Sequence, residues 1–500
     1  MKTIVLGPPG TGKTTTLLNK VDDHLKQTDP NKIGYFAFTQ KAAYEARDRA
    51  MEKFNLTEDD LPYFRTLHSL AFRRLGIKKE SVMQRHHYQD FGKKIDFPVD
   101  YMEYDDDEGG IFTTKSDYLR IIQLAKLRNI SFERQYDLKE HTQDVEFNKL
   151  RIIANELERY KKEHSLIDFN DMILNFIKSD ASPKFDVVFI DEAQDLSLMQ
   201  WDMAKNIWNK SGDSYIAGDD DQAIFRWAGA DVDSFITQKG KFLNLTQSFR
   251  IPRKVHDIAM KIIGRVSNRL DKEWKPKLHE GGLHRHPDFE NVNMNSGEWL
   301  VLARTKFMLA DLEDTLYRKG LYYKNKFKRS YEEDLYEAIT DWENWRKGTT
   351  LDLNQIKRII TYMSPSKVDK TQQFFMDKDK RYTLETCKAR HGFMTDAVWY
   401  EALDEAPRRK VEYIRKMRAN GEQLNKKPRI LLSTIHGVKG GEAQNVILLT
   451  DLSLNTQKGY ERNPDDENRL FYVGATRAKE NLHIIEPKIF IKAIKYEFVR

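Results

Sequence analysis

The sequence predicts an α/β protein built on two parallel-sheet cores, each interrupted by a mainly helical insertion. Three observations predict it. The apolar run "TIVL" leads into the glycine-rich "GPPGTGKTT" at 7–15 and then into helix-type sequence. A second apolar run, inside "FDVVFIDEAQD" at 185–195, ends in two adjoining carboxylates. Strand-like runs then recur at 299–303, 430–433, 445–449 and 482–485, with no second glycine-rich loop beside them. With 500 residues the chain exceeds one ordinary hydrophobic core, so several domains are expected.

Composition narrows the class without deciding it. Hydrophobic residues make up 40%, enough for globular cores, and charged residues 32%. No window is apolar enough to span a membrane, and the N-terminus enters a strand directly, without a signal-peptide pattern. The single cysteine, Cys387, excludes an intrachain disulfide and a cysteine-rich zinc site, and fits a reducing, cytoplasmic setting. The net charge of +6 is only weak support for a nucleic-acid partner. The acidic stretch "EYDDDEGG" at 103–110 reads as a solvated loop.

The first element is a strand over Thr3–Leu6, turning through glycines into a helix near Lys13. Gly7, Gly10 and Gly12 let backbone N–H groups close around a phosphate without Cβ clashes. Lys13 would reach the β- and γ-phosphates, and the Thr14 hydroxyl would face Mg²⁺. Such a loop needs a carboxylate at the end of a neighbouring strand. Val187–Ile190 read as a buried parallel strand, with Asp191 at its C-terminal end, where ligands bind in open α/β sheets. Glu192 beside it could orient and deprotonate an attacking water. A third strand-and-loop, "YIAGDDDQAIFRWAGA" at 215–230, places Gln222 to sense a γ-phosphate. It then interleaves Phe225, Arg226 and Trp227, which suits single-stranded nucleic acid, although a lone tryptophan is more often core.

The distance in sequence between Lys13 and Asp191 is far more than a compact phosphate-loop core needs, so something is inserted. The stretch 118–163 carries apolar residues at helical spacing among basic ones and reads as a helical subdomain. Between 331 and 427 the chain is again helical and charged.

These residues stand in an ordered series of motifs that resembles the UvrD/Rep/PcrA-type DNA helicases, the 3′-to-5′ branch of superfamily 1. "GPPGTGKTT" looks like motif I, "FAFTQKAAYEAR" (36–47) like Ia and "RTLHSLAFRRL" (65–75) like Ib. "LIDFNDMI" (166–173) is similar to the family's L-D-F-D-D-L; "DEAQD" resembles motif II and "GDDDQAIFRWAGA" motif III. "LNLTQSFR" (243–250), "WLVLARTK" (299–306), "LLSTIHGVKGGEAQNVILL" (431–449) and "ENRLFYVGATRAKENL" (467–482) resemble the later motifs.

The resemblance implies two RecA-like cores, ATP and Mg²⁺ as cofactors, and 3′-to-5′ translocation on single-stranded DNA with duplex unwinding. A strand translocase with little unwinding is the nearest alternative, and a AAA+-type remodelling ATPase a more distant one. It implies a first core from 1–75 and 164–250, a helical insertion at 76–163, a second core from 251–330 and 428–500, and a small helical insertion at 331–427. Catalysis falls to Lys13, Asp191, Glu192, Gln222 and two arginine fingers, Arg250 and Arg477, with Thr14 and Asp191 serving the metal. The nucleotide would contact Gly7, Pro8, Pro9, Gly10, Thr11, Gly12, Lys13, Thr14, Thr15, Phe249 and Glu442. DNA would run over Phe38, Thr39, Thr66, His68, Phe225, Trp227, Arg304, Thr434 and His436. Partners implied are single-stranded DNA and its junctions with duplex, with single-strand-binding, replication or repair proteins in addition, and a monomer is expected.

The sequence departs from the family pattern in places. Met1 leaves no room for the glutamine motif that reads adenine, which predicts relaxed nucleotide choice or a larger share for Phe249 stacking. Ala228 stands where relatives often carry arginine, and Gly441 where leucine is common. Both insertions are short, which weakens the expectation of strong duplex engagement.

Overall fold

A computed structural model of the chain describes residues 1–97, 103–105, 111–141, 144–325, 328–372 and 376–488. It divides into two compact units. The first comprises Met1–Gly282 and Leu454–Glu480; the second comprises Leu283–Ser453 and continues from Asn481.

In the first unit, β1 (Lys2–Leu6), β2 (Ile33–Ala37) and β3 (Phe64–Thr66) precede a hairpin of β4 (Glu103–Asp105) and β5 (Ile111–Thr113); β6 (Val187–Asp191), β7 (Asp213–Gly218) and β8 (Lys241–Asn244) follow. The main sheet is six-stranded in the order β3-β2-β6-β7-β1-β8, and every pairing in it is parallel. Successive residues of a strand point to opposite faces, and here both faces are covered, which is why the strands read as unbroken apolar runs. Val5, Tyr35, Val187 and Phe189 pack against Leu17, Leu18 and Val21 of helix Lys13–Leu25 and Ala43, Ala46 and Ala50 of helix Gln40–Phe54. Ile4, Leu6, Phe36, Val188 and Ile190 face the other way, onto Leu67, Met172, Phe176, Met199 and Trp201.

The insertion has its own small core. Tyr88 and Phe91, Leu119 and Ile122, and Leu150, Ile153 and Leu157 come from helices Arg85–Lys94, Asp117–Leu127 and Phe147–Glu163. An ion-pair cluster ties it to the main fold. Asp168 caps helix Phe169–Ser179, and its carboxylate accepts from Lys126 at 3.1 Å and Lys161 at 3.0 Å. Burial alone would raise the Asp168 pKa, but the two ammonium groups outweigh it and hold it below the usual carboxylate range. Glu158, Asp168 and Asp171 lie close enough together to share a cation, and these lysines supply that charge. The acidic stretch at 103–110 is not simply a loop: Glu103–Asp105 pair antiparallel with Ile111–Thr113, because backbone hydrogen bonding is available whatever the side-chain charge. Residues 106–110 lie outside the described residues.

In the second unit, β9 (Gly282–His286), β10 (Trp299–Ala303), β11 (Tyr323–Asn325), β12 (Ile430–Thr434), β13 (Ala443–Leu449) and β14 (Ala478–Ile485) form a sheet in the order β11-β12-β10-β13-β14-β9. β11, β12, β10 and β13 are parallel. The helices Glu333–Arg346, Leu353–Ile360, Leu384–Arg390 and Arg408–Ala419 share one continuous core with this sheet, running from Val301 and Leu432 to Trp342, Trp345, Ile356, Cys387 and Met417. Two of its buried indoles are satisfied: Trp342 donates to the Ala397 carbonyl at 3.0 Å and Trp345 to the Tyr382 carbonyl at 2.9 Å. Cys387 is fully buried, and burial pushes its thiol up to about 12.

Candidate nucleotide and strand-binding site

Apart from Arg477, every candidate residue of the first unit lies at or just beyond the C-terminal end of a strand of one parallel sheet. β1 delivers 7–15, β2 delivers Phe38 and Thr39, and β3 delivers Thr66 and His68. β6 delivers Asp191 and Glu192, β7 delivers 219–227 and β8 delivers 248–250. This is the edge at which open α/β sheets bind ligands.

The glycine-rich turn is held from both sides. Gly7 N–H donates to the Gly218 carbonyl at 3.2 Å, and the Thr11 hydroxyl donates to the Pro8 carbonyl at 2.8 Å. Gly10 has φ +76°, and a Cβ there would stand 2.5 Å from Arg250 Cβ, so only glycine fits both the backbone and the contact. The 248–250 segment is zipped onto the turn: Ser248 Oγ donates to the Pro9 carbonyl at 2.9 Å and Phe249 N–H to the Gly10 carbonyl at 2.8 Å. Arg250 therefore sits beside the loop, and the Phe249 ring is 76% exposed.

Lys13 Nζ donates to the Gly7 carbonyl at 3.2 Å and lies 3.5 Å from Glu192. The Thr14 hydroxyl donates to Asp191 Oδ2 at 3.1 Å, and Tyr35 Oη donates to the same oxygen at 2.9 Å. Asp191 Oδ1 accepts from the Glu192 N–H at 2.9 Å. Burial pushes the Asp191 pKa up and the Glu192 charge pushes it further, while Lys13 and the Tyr35 hydrogen bond pull it down. Glu192 holds a left-handed backbone, φ 54°, unusual for a residue with a Cβ and a mark of functional sites. Hydroxyl and carboxylate oxygens meeting at a buried, electron-rich point are the donors a hard divalent cation takes, so these residues fit Mg²⁺.

Gln222 is buried. Its Nε2 donates to Asp219 Oδ2 at 2.7 Å, and its Oε1 accepts from Arg477 Nη2 at 3.0 Å. Arg477, expected on the second core, is thus part of the first unit. The reason is helix Pro464–Ala475, which packs on helix Arg253–Ile263, and Arg469, whose Nε donates to the Asp220 carbonyl at 2.9 Å. The three aspartates 219–221 are neutralised from the segment after that helix. Lys272 contacts all three, at 2.7 Å for Asp219 and 3.1 Å for Asp221, and Arg269 grips Asp221 with two hydrogen bonds of 2.8 and 2.6 Å. Burial would lower the Lys272 pKa, but the carboxylates win and raise it.

The aromatic residues separate into two kinds. Phe225 is buried and stacks on the half-buried Phe38, with centroids 5.7 Å apart, while Trp227 is 44% exposed. Thr39 and Thr66 cap helices, accepting from Ala42 N–H at 2.9 Å and Ser69 N–H at 3.2 Å. His68 is buried edge-on against Phe169, and burial lowers its pKa to about 4. The remaining candidates belong to the second unit. Arg304 and Thr434 follow or end the neighbouring strands β10 and β12, and His436 comes two residues later. The Thr434 hydroxyl accepts from Gly437 N–H at 3.1 Å. Glu442 is exposed just before β13.

The family model of the UvrD/REP helicase N-terminal domain matches residues 1–243, and that of the UvrD-like helicase C-terminal domain matches residues 429–485. The chain belongs to the UvrD/REP helicase family. Similar proteins include the ATP-dependent DNA helicase Rep of Buchnera aphidicola, 21% identical over 96% of this chain and 91% of the relative. The ATP-dependent DNA helicase PcrA of Bacillus subtilis is 25% identical over 72% of this chain, which spans half the length of that relative. A probable DNA helicase II homologue of Mycoplasma pneumoniae is 23% identical over 99% of this chain and 84% of its own. The UvrD-family N-terminal match covers the phosphate loop, Asp191 and Gln222, and the C-terminal match covers Arg477.

Sequence reading missed Tyr35, Ser248, Lys272, Arg269 and Arg469. Ser248 and Arg469 lie inside the motif stretches 243–250 and 467–482 but carry no assigned role there, and Tyr35, Lys272 and Arg269 lie outside the quoted motifs; each acts through a partner distant in sequence. Among the described residues no helix is long and apolar enough to cross a membrane.

Proposed function

We propose that this chain hydrolyses ATP at the first-unit site to move 3′ to 5′ along single-stranded DNA and to separate duplex ahead of it. The observation that carries this reading is the continuity of one loop. Within 219–227 the buried Gln222, hydrogen-bonded to Arg477, is three residues from Phe225 and five from the exposed Trp227. A change of contact at the phosphate end is thereby transmitted to a stacking surface at the other end.

In this reading Gly7, Pro8, Pro9, Gly10, Thr11, Gly12 and Thr15 surround the phosphates and Lys13 neutralises them. Thr14 and Asp191 would hold Mg²⁺, which supplies charge neutralisation on the phosphate oxygens. Glu192 takes the proton from the attacking water, and Arg250 and Arg477 stabilise the charge that builds in the transition state. Phe249 stacks on the base and Glu442 holds the ribose. Phe38, Thr39, Thr66, His68, Phe225, Trp227, Arg304, Thr434 and His436 belong to the strand path; the half-exposed Trp227 would meet the bases, and Phe225 is buried against Phe38. The division into a first core (1–75, 164–250) with insertion 76–163 and a second core with insertion 331–427 belongs to the same proposal, except that 251–282 and 454–480, expected in the second core (251–330, 428–500), cluster with the first unit. So do a cytoplasmic, DNA-associated location, action as a monomer, and work in replication or repair beside other DNA-binding proteins.

Partial duplexes carrying either a 3′ or a 5′ single-stranded tail test it. Unwinding from the 3′ tail alone, dependent on ATP and Mg²⁺, is expected. Unwinding from the 5′ tail overturns the polarity, and DNA-stimulated ATPase without unwinding reduces the protein to a translocase.

A further inference from the structure

Four neighbouring strands of the first sheet each contribute one aromatic ring to a ladder on the same face. Phe64 of β3, Tyr35 of β2, Phe189 of β6 and Tyr215 of β7 are direct register partners in turn. Their rings stack with centroids 5.1, 6.1 and 5.0 Å apart and interplanar angles of 12°, 24° and 9°. His24 closes the end, edge-on to Phe189 and Tyr215. Tyr35 is fully buried, so its ring has no freedom to turn. Its hydroxyl is delivered by the ladder to Asp191 Oδ2 at 2.9 Å.

We propose that Tyr35 is the positioning residue for the metal-binding carboxylate: the ladder fixes its ring, and its hydroxyl fixes the plane of Asp191. This rests on the reading of Asp191 as the carboxylate that serves Mg²⁺. The other side-chain donor to that oxygen, Thr14, also has to serve the metal, and it stands in the first turn of helix Lys13–Leu25, directly after the loop that must accommodate the nucleotide. Tyr35 is on a buried strand and has no second task. Outer donors that orient a ligating carboxylate typically govern metal affinity by about 10- to 100-fold.

Tyr35→Phe keeps the ring in the ladder and removes only the hydroxyl. The full-length chain is titrated with Mn²⁺ in the presence of ADP and free Mn²⁺ is followed by its paramagnetic resonance signal, which needs no turnover. Wild type, Tyr35→Phe and Asp191→Asn are compared, and the thermal midpoint of each is recorded without metal. The expected result is at least a tenfold weaker Mn²⁺ affinity for Tyr35→Phe with a midpoint close to wild type, and a parallel rise in the Mg²⁺ needed for half-maximal ATPase. Phe64→Leu keeps the hydroxyl but unstacks the ring, and a smaller loss of Mn²⁺ affinity is expected. Unchanged affinity in both variants, with Asp191→Asn impaired, overturns the role of Tyr35 and leaves the reading of Asp191 standing. Wild-type affinity in Asp191→Asn overturns both.

Discussion

Arg477 donates Nη2 to Oε1 of Gln222 at 3.0 Å, and both side chains are buried. The direction of the amide is fixed by chemistry. Asp219 can only accept, so it must face Nε2, and the carbonyl is left for the guanidinium. Arg477 Nε is committed to the Val473 carbonyl at 2.9 Å. In the proposed cycle Gln222 is the partner that holds the arginine in register with the phosphate loop. Arg477→Lys loses the fork geometry and cannot make both bonds. Its ATP turnover should fall by about 100-fold or more, the scale for losing one transition-state donor. Gln222→Ala should leave the KM for ATP within about threefold but blunt the stimulation of turnover by single-stranded DNA. Steady-state ATPase with and without oligonucleotide measures both; equal stimulation in wild type and Gln222→Ala would remove Gln222 from the coupling.

The adjacent aromatic residues should separate cleanly. Trp227 is 44% exposed, so Trp227→Ala costs little stability but removes a stacking face worth about 1–3 kcal/mol per base. Single-strand affinity and DNA-stimulated ATPase should drop, with basal ATPase and the melting temperature almost unchanged. Phe225 is 3% exposed against Phe38, so Phe225→Ala should cost about 3–5 kcal/mol of stability before any effect on DNA. Urea unfolding and oligonucleotide titration of the two variants give the comparison, and a reversed pattern would refute the assignment of support and surface.

His68 makes the first unit sensitive to acid. Burial lowers its pKa to about 4, against about 6.5 in an unfolded chain. A base with a depressed folded pKa contributes its full share above the unfolded value. That share is lost as pH falls from about 6.5 towards 4, because only the unfolded chain takes up the proton. The shift corresponds to about 3 kcal/mol over that window. The urea midpoint should therefore decline between pH 6.5 and 4 with a slope that His68→Leu reduces. An unchanged slope in that variant would mean that His68 is solvated.

The legible part of this protein was what local rules encode. "VVFID" could be read as a buried parallel strand because both of its faces are covered, and Asp191 followed from its end. Thr39 and Thr66 were expected only as DNA-strand contacts, and their role as helix caps came from the structure. The hidden part depends on register between strands distant in sequence. No spacing rule places Tyr35 between Phe64 and Phe189, or Lys272 among Asp219, Asp220 and Asp221. Whether Phe225 or Trp227 faces solvent is likewise set by Phe38 and not by the run "FRW". Arg477 joined the first unit through helix packing that its own motif does not specify.

The last prediction concerns the ion cluster that secures the helical insertion. Lys161 is 3% exposed and bonds Asp168 at 3.0 Å and Asp171 at 2.6 Å. Removing one partner of a buried pair leaves an uncompensated charge, which typically costs about 3–5 kcal/mol. Lys161→Met should destabilise the chain on that scale, and Lys161→Met with Asp168→Asn should recover part of the loss. Asp168 has a depressed folded pKa, so its contribution is present above the unfolded carboxylate value of about 3.9 and is lost only as pH falls through the lower folded one. The penalty of Lys161→Met should accordingly be constant between pH 5 and 8, where His68 alone of these two sites titrates. Urea midpoints of the single and double variants across that range decide it. A penalty that vanishes in high salt would mean that the cluster is a surface network and not a buried tie.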